Sequence, residues 1–200
     1  MRRIREVIQT WLRAMAAPVA RRLADAGVSA NQVTLVGFLV TAVGALLVGL
    51  DLPVAGGIVF VIGSLFDLLD GVLARERNQT SDFGAFLDST LDRVGEALMF
   101  AALAYRFAVL EDPWLAALSV LAMAGAFLTS YARARAEGLG LSCSIGLITR
   151  GERVLILAVG LIGNMIGPAI WVLVLLGGFT AAQRIDYVRR EIRAGVMDQD

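Results

Sequence analysis

Asp67 and Asp70 stand three residues apart in the stretch Phe66-Asp67-Leu68-Leu69-Asp70-Gly71-Val72-Leu73-Ala74-Arg75. At about 100° per residue a helix places both carboxylates on one face, with Gly71 and Ala74 beside them. Gly84, Asp88 and Asp92 recur every fourth residue in the next segment and share a face in the same way. Laid side by side, the two helices bring four carboxylates together at the end of an apolar segment. A charged side chain at mid-membrane depth costs about 2.5–3.5 kcal/mol on insertion scales, and four carboxylates in one pocket repel one another. A bound divalent cation resolves both problems. With all-oxygen ligation the ion is a hard one, Mg²⁺ or Mn²⁺, with coordination positions left for phosphate oxygens. The small side chains of Gly71, Ala74 and Gly84 leave room for a nucleotide or diphosphate to approach the backbone beside the metal. Close helix packing in a membrane uses the same small residues. Arg75 is placed to pair with phosphate, to pair with an aspartate, or to anchor its helix at the interface.

Composition narrows what else the chain can do. It has 200 residues, 58% of them hydrophobic, with 18 basic and 18 acidic side chains and no net charge. Mean hydropathy is +0.72, and the apolar share exceeds the roughly 45–50% of soluble chains. Every basic residue is arginine, and there is no lysine or histidine. A histidine base, a Ser-His-Asp triad, a phosphohistidine and a histidine-ligated metal are therefore excluded. The single cysteine, Cys143, excludes an internal disulfide and reads as a small buried filler. Neutral charge argues against a nucleic-acid partner.

The elements that must position the acids are membrane helices. Six apolar stretches approach the length needed to cross about 30 Å of hydrocarbon; they cover 33–50, 54–74, 94–110, 114–134, 154–166 and 168–187. Asp51-Leu52-Pro53 forces a tight hairpin between the first two, and Gly163-Asn164 to Gly167-Pro168 marks another between the last two. An even number of spans puts both termini on one side. With these spans seventeen arginines fall on one face and only Arg106 on the other, so the positive-inside rule makes the crowded face, both termini and the acids cytoplasmic, in a cell membrane. Ahead of the first span, Ile4, Val7, Ile8, Trp11, Leu12, Met15 and Val19 recur at three- and four-residue steps. They predict an amphipathic helix lying in the interface, with a bend or a second short helix at Pro18 and a stop at Gly27. The expected fold is an all-α integral membrane protein, six transmembrane helices preceded by an N-terminal interfacial helix. Its parts are the interfacial helix at 1–27, the membrane domain at 28–193 and a short tail at 194–200.

The run Asp67-x2-Asp70-Gly71-x2-Ala74-Arg75-x8-Gly84-x3-Asp88-x3-Asp92 resembles the complete signature of the CDP-alcohol phosphotransferase family. The resemblance implies a homodimeric membrane enzyme that moves a phosphatidyl-type group from a CDP-linked lipid to an alcohol and releases CMP. It implies a centre of two Mg²⁺ ions, with Mn²⁺ as a substitute, held by Asp67, Asp70, Asp88 and Asp92, with Asp92 also the general base. It further implies that Gly71, Ala74, Arg75, Ser81 and Gly84 line the CDP-lipid site, with Asn31 and Thr34 contributing. Taken alone, Ser81 and Asn31 serve equally well as N-caps.

Arg133, Arg150, Arg153 and Arg184 come from three separate helix ends on the cytoplasmic face. Such a set suits the phosphate of an anionic acceptor, because guanidinium forks pair bidentately with phosphate; interfacial anchoring is the competing reading. Glu137 and Glu152 are placed to pair with neighbouring arginines. This region is similar to the phosphatidylinositol phosphate synthase branch of the family, which implies CDP-diacylglycerol as donor and inositol phosphate as acceptor. Arg133 departs from a branch pattern that has lysine there. Glycerol 3-phosphate as acceptor and an archaeal ether lipid as donor stay open. A cation transporter would instead spread acids over several spans at mid-depth.

Overall fold

A computed structural model describes the backbone of residues 2–76 and 81–197, and the side chains of that range except for 2–13 and 196–197. Among the described residues the chain is wholly helical: α1 (Arg2–Asp25), α2 (Ala30–Gly49), α3 (Pro53–Glu76), α4 (Asp82–Val109), α5 (Pro113–Glu137), α6 (Arg150–Ile162) and α7 (Ile166–Met197). The punctuation is local. Gly27, with φ of +81°, ends α1 in a left-handed turn, where the Val28 amide reaches the Leu23 carbonyl and the Gly27 amide that of Ala24. Ser29 and Gln32 form a capping box that starts α2, and Asp112 caps α5 just ahead of Pro113. Asp51, Glu111 and Asn164 take positive φ in the three tight turns at the far end, as short polar or turn residues can.

Six helices form a closed ring. α3 packs on α2, α2 on α4, α4 on α5, α5 on α7, α7 on α6, and α6 back on α3, while α1 rests on the outside of α3. The core of the ring is apolar over its far half: Val48, Phe60, Met99, Phe100, Leu103, Leu161, Ile170 and Leu173 are all at most 2% exposed. Small residues bring α2 and α3 together; a Cβ on Gly44 would stand 3.0 Å from both the Gly56 carbonyl oxygen and the Phe60 amide nitrogen. The outward faces are apolar too, with Leu39, Leu46, Ile58, Leu65, Leu121, Leu128, Leu175 and Phe179 exposed. A surface of that kind belongs in lipid.

Of the six expected spans, four are met by helix length and composition among the described residues: α2, α3, α5 and α7 are long and apolar enough to cross a membrane. α6 has 13 residues, about 20 Å at 1.5 Å each, against about 30 Å of hydrocarbon. α4 is long enough, but Asp88, Asp92, Arg93, Glu96 and Arg106 interrupt its apolar run. Nor is there a break at Pro18, which lies inside α1. Ala16 and Ala20, on either side of it, are buried with Val33, Val72 and Leu73. Of the apolar stripe expected on this helix, Met15 and Val19 are exposed, and the side chains of Ile4, Val7, Ile8, Trp11 and Leu12 lie outside the described residues. α7 continues beyond residue 193 as helix to Met197.

Candidate active site

The four aspartates converge without α3 and α4 packing on each other. Both helices lean on α2, and the carboxylates meet across the gap that α2 leaves between them. α2 contributes Thr34, which is buried and donates its hydroxyl to Asp70 Oδ2 at 2.7 Å. Carboxylate oxygens of Asp67, Asp70 and Asp88 lie within 4.8 Å of one another. Asp88 Oδ1 is buried without a hydrogen-bond partner, and Asp67 Oδ2 is paired with the guanidinium of Arg150. A buried, unpartnered carboxylate oxygen in a cluster of like charge calls for a cation. Three oxygen donors, with no nitrogen or sulfur among them, fit a hard divalent ion.

Asp92 stands slightly apart from that trio. Its Oδ1 is 2.8 Å from Arg150 Nη2, its Oδ2 is 3.7 Å from Arg93 Nη1, and Arg150 Nη1 reaches across to Asp67. Arg150 thus bridges the first and last acids of the signature. On sequence it belongs with the acceptor arginines; in the structure its guanidinium rests on the acids, because buried carboxylates take whatever counter-charge is in reach.

Beside the acids opens a cavity of about 220 Å³, lined by Asn31, Thr34, Gly71, Ala74, Arg75, Ser81 and Gly84, with Asp70 and Asp88 at its edge. All seven residues named from the sequence for a CDP-lipid face this one space. A Cβ on Gly71 would meet nothing nearer than the Arg75 guanidinium at 3.7 Å. Gly71 is therefore small beside open space and not beside a packed helix. Gly84 differs, since a Cβ there would stand 3.0 Å from Ser81 Oγ and 3.2 Å from Asn31 Oδ1. Ser81 also caps α4, accepting from the Gly84 amide at 3.0 Å. Asn31 is not a cap: Ser29 holds that position on α2, which leaves Asn31 exposed in the first turn. The N-terminal ends of α2 and α4 both border the cavity, and their free amides and dipoles favour phosphate there.

The remaining arginines expected to bind an acceptor are each engaged. Arg133 pairs at the surface with Glu137 at 2.8 Å and lines a cavity of about 640 Å³ between α4 and α5, together with Arg93, Ser130 and Tyr131. Arg153 is 5% exposed and directs Nε and Nη2 to the two carboxylate oxygens of Glu96, at 2.9 and 2.8 Å. Arg184, equally buried, donates to the carbonyls of Ile145 (3.0 Å) and Thr129. Arg153 Nη1 comes to 3.4 Å from Thr129 Oγ1, and Arg184 lies within electrostatic reach of both Arg133 and Arg153. Arg153 and Arg184 therefore meet at Thr129, with Arg133 within electrostatic reach of Arg184, but none is an uncommitted cation. Glu152, expected beside an arginine, closes the capping box of α6 by accepting from the Thr149 amide at 2.7 Å.

Glu96 and Thr129 escaped the sequence reading. The signal for Glu96 was present, since it continues the four-residue step of Asp88 and Asp92. Nothing in the spacing of Thr129 sets it apart. Cys143 is buried, 1% exposed, as a filler would be.

Comparison with known proteins agrees with this geometry. The CDP-alcohol phosphatidyltransferase family profile matches residues 27–182. The archaetidylinositol phosphate synthase of Pyrococcus horikoshii is 32% identical over 88% of this chain and 92% of its own length. The phosphatidylinositol phosphate synthase of Mycolicibacterium smegmatis is 34% identical over 86% and 82%. Among solved structures, the phosphatidylinositol phosphate synthase of Mycobacterium tuberculosis with CDP-DAG bound superposes with a TM-score of 0.82. It is 32% identical and covers 88% of this chain and 94% of that one. The same enzyme in complex with manganese and citrate gives a TM-score of 0.82 over 86% and 88%. With residues 27–182 matched by the family profile and six of the eight signature residues lining one cavity beside Asp67 and Asp92, the chain belongs to the CDP-alcohol phosphatidyltransferase family, as a multi-pass membrane enzyme.

Proposed function

We propose that this enzyme transfers a phosphatidyl group from CDP-diacylglycerol to a hydroxyl of inositol phosphate and releases CMP. The observation that carries this reading is the single cavity lined by Asn31, Thr34, Gly71, Ala74, Arg75, Ser81 and Gly84, which opens directly onto Asp70 and Asp88. Arg75 and the ends of α2 and α4 hold the diphosphate, and the open space before Gly71 admits the nucleotide. Asp67, Asp70 and Asp88 would hold a Mg²⁺ ion, for which Mn²⁺ substitutes, and Asp92 takes part in holding a second. The ions supply Lewis-acid stabilisation of the charge that develops on the diphosphate as CMP departs. Thr34 fixes the orientation of Asp70. Asp92 accepts the proton of the attacking hydroxyl, whose oxygen forms the new bond to the lipid-side phosphorus as the bond to the CMP oxygen breaks. Arg153 and Arg184, which meet at Thr129, attract the acceptor's phosphate together with Arg133 and Arg150.

The acceptor is the part shared by the relatives: archaetidylinositol phosphate synthases and phosphatidylinositol phosphate synthases are named for different lipids and the same head group. The archaeal relatives, one of them 38% identical over 88% of the chain, support an ether-lipid donor as a second reading. Both are tested by one screen in nanodiscs with labelled CDP-diacylglycerol or its ether analogue. Inositol phosphate, glycerol 3-phosphate, serine and free inositol are compared side by side. Turnover with inositol phosphate alone is the expected result, and preference for glycerol 3-phosphate overturns the assignment.

Six membrane-embedded helices, a cytoplasmic active site with both termini on the same side, and a homodimer complete the proposal. Exposed Leu98 and Val109 on α4, and Leu155, Val159 and Ile162 on α6, support lipid contact for the two helices that are too charged or too short to qualify alone. A transporter is disfavoured, because Asp67, Asp70, Asp88 and Asp92 crowd one end of the ring.

A further inference from the structure

Glu96 is the buried charge that the transfer chemistry leaves unused. It is 6% exposed and sits one helical turn beyond Asp92, where the ring changes from polar to apolar. α4 and α6 are not packing neighbours in that ring, so the bond between Glu96 and Arg153 spans its interior. Arg150 and Arg153, three apart on α6, meet Asp92 and Glu96, four apart on α4. Each arginine is thereby matched to its own acid, and Arg153 is kept off Asp92. A buried ion pair is a poor source of stability, since apolar residues of similar volume commonly do as well or better. Its value here lies in what it does to the arginine. A guanidinium has five N–H donors. Glu96 takes the edge formed by Nε and Nη2, and Thr129 Oγ1 takes one donor of Nη1. Three of the five donors are thereby assigned, and the guanidinium plane is fixed with the remaining two N–H groups on its terminal nitrogens. Thr129 meanwhile accepts Arg184 through its carbonyl, so two guanidinium groups are registered against one residue.

We propose that Glu96 is a positioning residue for acceptor specificity: it clamps Arg153 edge-on so that the two remaining N–H groups, beside Arg184, form a preorganised seat for the acceptor's phosphate. The proposal rests on the phosphorylated-acceptor reading above. Its test uses the full-length enzyme in nanodiscs, with KM measured separately for inositol phosphate and for CDP-diacylglycerol, and thermal unfolding followed in parallel. Glu96→Gln, which keeps the shape and loses the charge, is expected to raise the inositol phosphate KM about tenfold while the CDP-diacylglycerol KM stays within twofold. Glu96→Asp is expected to recover part of that loss. Thr129→Val leaves the ion pair intact and is expected to raise the acceptor KM about threefold; it carries the test if Glu96→Gln does not fold. Equal changes in both KM values, or a lowered melting temperature with the acceptor KM unchanged, would overturn the clamp alone. If the wild-type enzyme used inositol but no phosphorylated acceptor, the functional reading would fall and the clamp with it.

Discussion

Asp92 and Arg150 show how much of this site is decided by single charges. Asp92 lies beside the trio of Asp67, Asp70 and Asp88, its side chain largely buried and held by Arg150 at 2.8 Å. The guanidinium offsets part of the cost of burying this carboxylate, the one assigned to accept the proton. A general base contributes about 10²–10⁴-fold, so Asp92→Asn is expected to lower the rate of CMP release by at least about 100-fold, with the melting temperature nearly unchanged. Turnover retained by the variant would remove Asp92 from that role. Arg150 makes the opposite kind of contribution, because its charge occupies Asp67 and Asp92 in competition with any cation. Replacing it by glutamine frees both carboxylates. Arg150→Gln is therefore expected to bind Mn²⁺ about tenfold more tightly, read from the free-ion signal in electron paramagnetic resonance, and unchanged or weaker binding would refute the competition. The acids themselves were legible from spacing. The destination of Arg150 was not, because a helix N-terminus at residue 150 says nothing about which carboxylates lie across the ring.

At the scale of helices, α3 has two faces with opposite requirements. Gly56 and Gly63 face α2, where backbones approach closely, whereas Gly71 faces the open cavity. Sequence alone left both explanations standing for Gly71, since membrane packing and ligand access each select small residues. The structure separates them through what a methyl group would touch. At Gly71 it would reach only Arg75 Nη2 and Nη1, at 3.7 and 3.9 Å, and alanine is worth up to about 1 kcal/mol over glycine inside a helix. Gly71→Ala is therefore expected to keep or raise the melting temperature, by up to about 2–4 °C, while raising the KM for the CDP-lipid severalfold. At Gly44 the same methyl would stand 3.0 Å from backbone atoms of α3, so Gly44→Ala is expected to lower the melting temperature. Equal behaviour of the two variants would mean that Gly71 is a packing residue after all. The existence of the helices followed from hydropathy, but α6 proved shorter than a span and α4 more charged than one. Periodicity reports which face is apolar, and the order of the ring depends on which faces fit together.

The whole molecule is polarised along the axis of the ring. One end holds the aspartates, Arg133, Arg150, Arg153 and Arg184, and the strap between α5 and α6, which is tied to α7 through Gln183, Thr180 and Arg184. The far end holds three tight turns and, among the described residues, one ion pair, Arg106 with Asp51 at 2.8 Å, which joins α4 to the turn between α2 and α3. That lone arginine is spent on a neighbour, so the far end offers little net positive charge to oppose the charge bias at the other. Arginine positions already pointed to this asymmetry, and the structure sets Arg133, Arg150, Arg153 and Arg184 at one end and Arg106 at the other. Zero net charge concealed it only as an average. Under the positive-inside rule it predicts insertion with the arginine-rich end on the cytoplasmic side. The native thiol provides a clean background for testing this, since Cys143 is 1% exposed. Trp114, 80% exposed at the start of α5, and Leu139, 50% exposed just beyond its end, mark the two ends. In intact bacterial cells a membrane-impermeant maleimide is expected to label Trp114→Cys and spare Leu139→Cys, with both labelled once the membrane is permeabilised. Labelling of Leu139→Cys alone in intact cells would invert the topology and put the acids, and the supply of CDP-lipid they require, on the outer face.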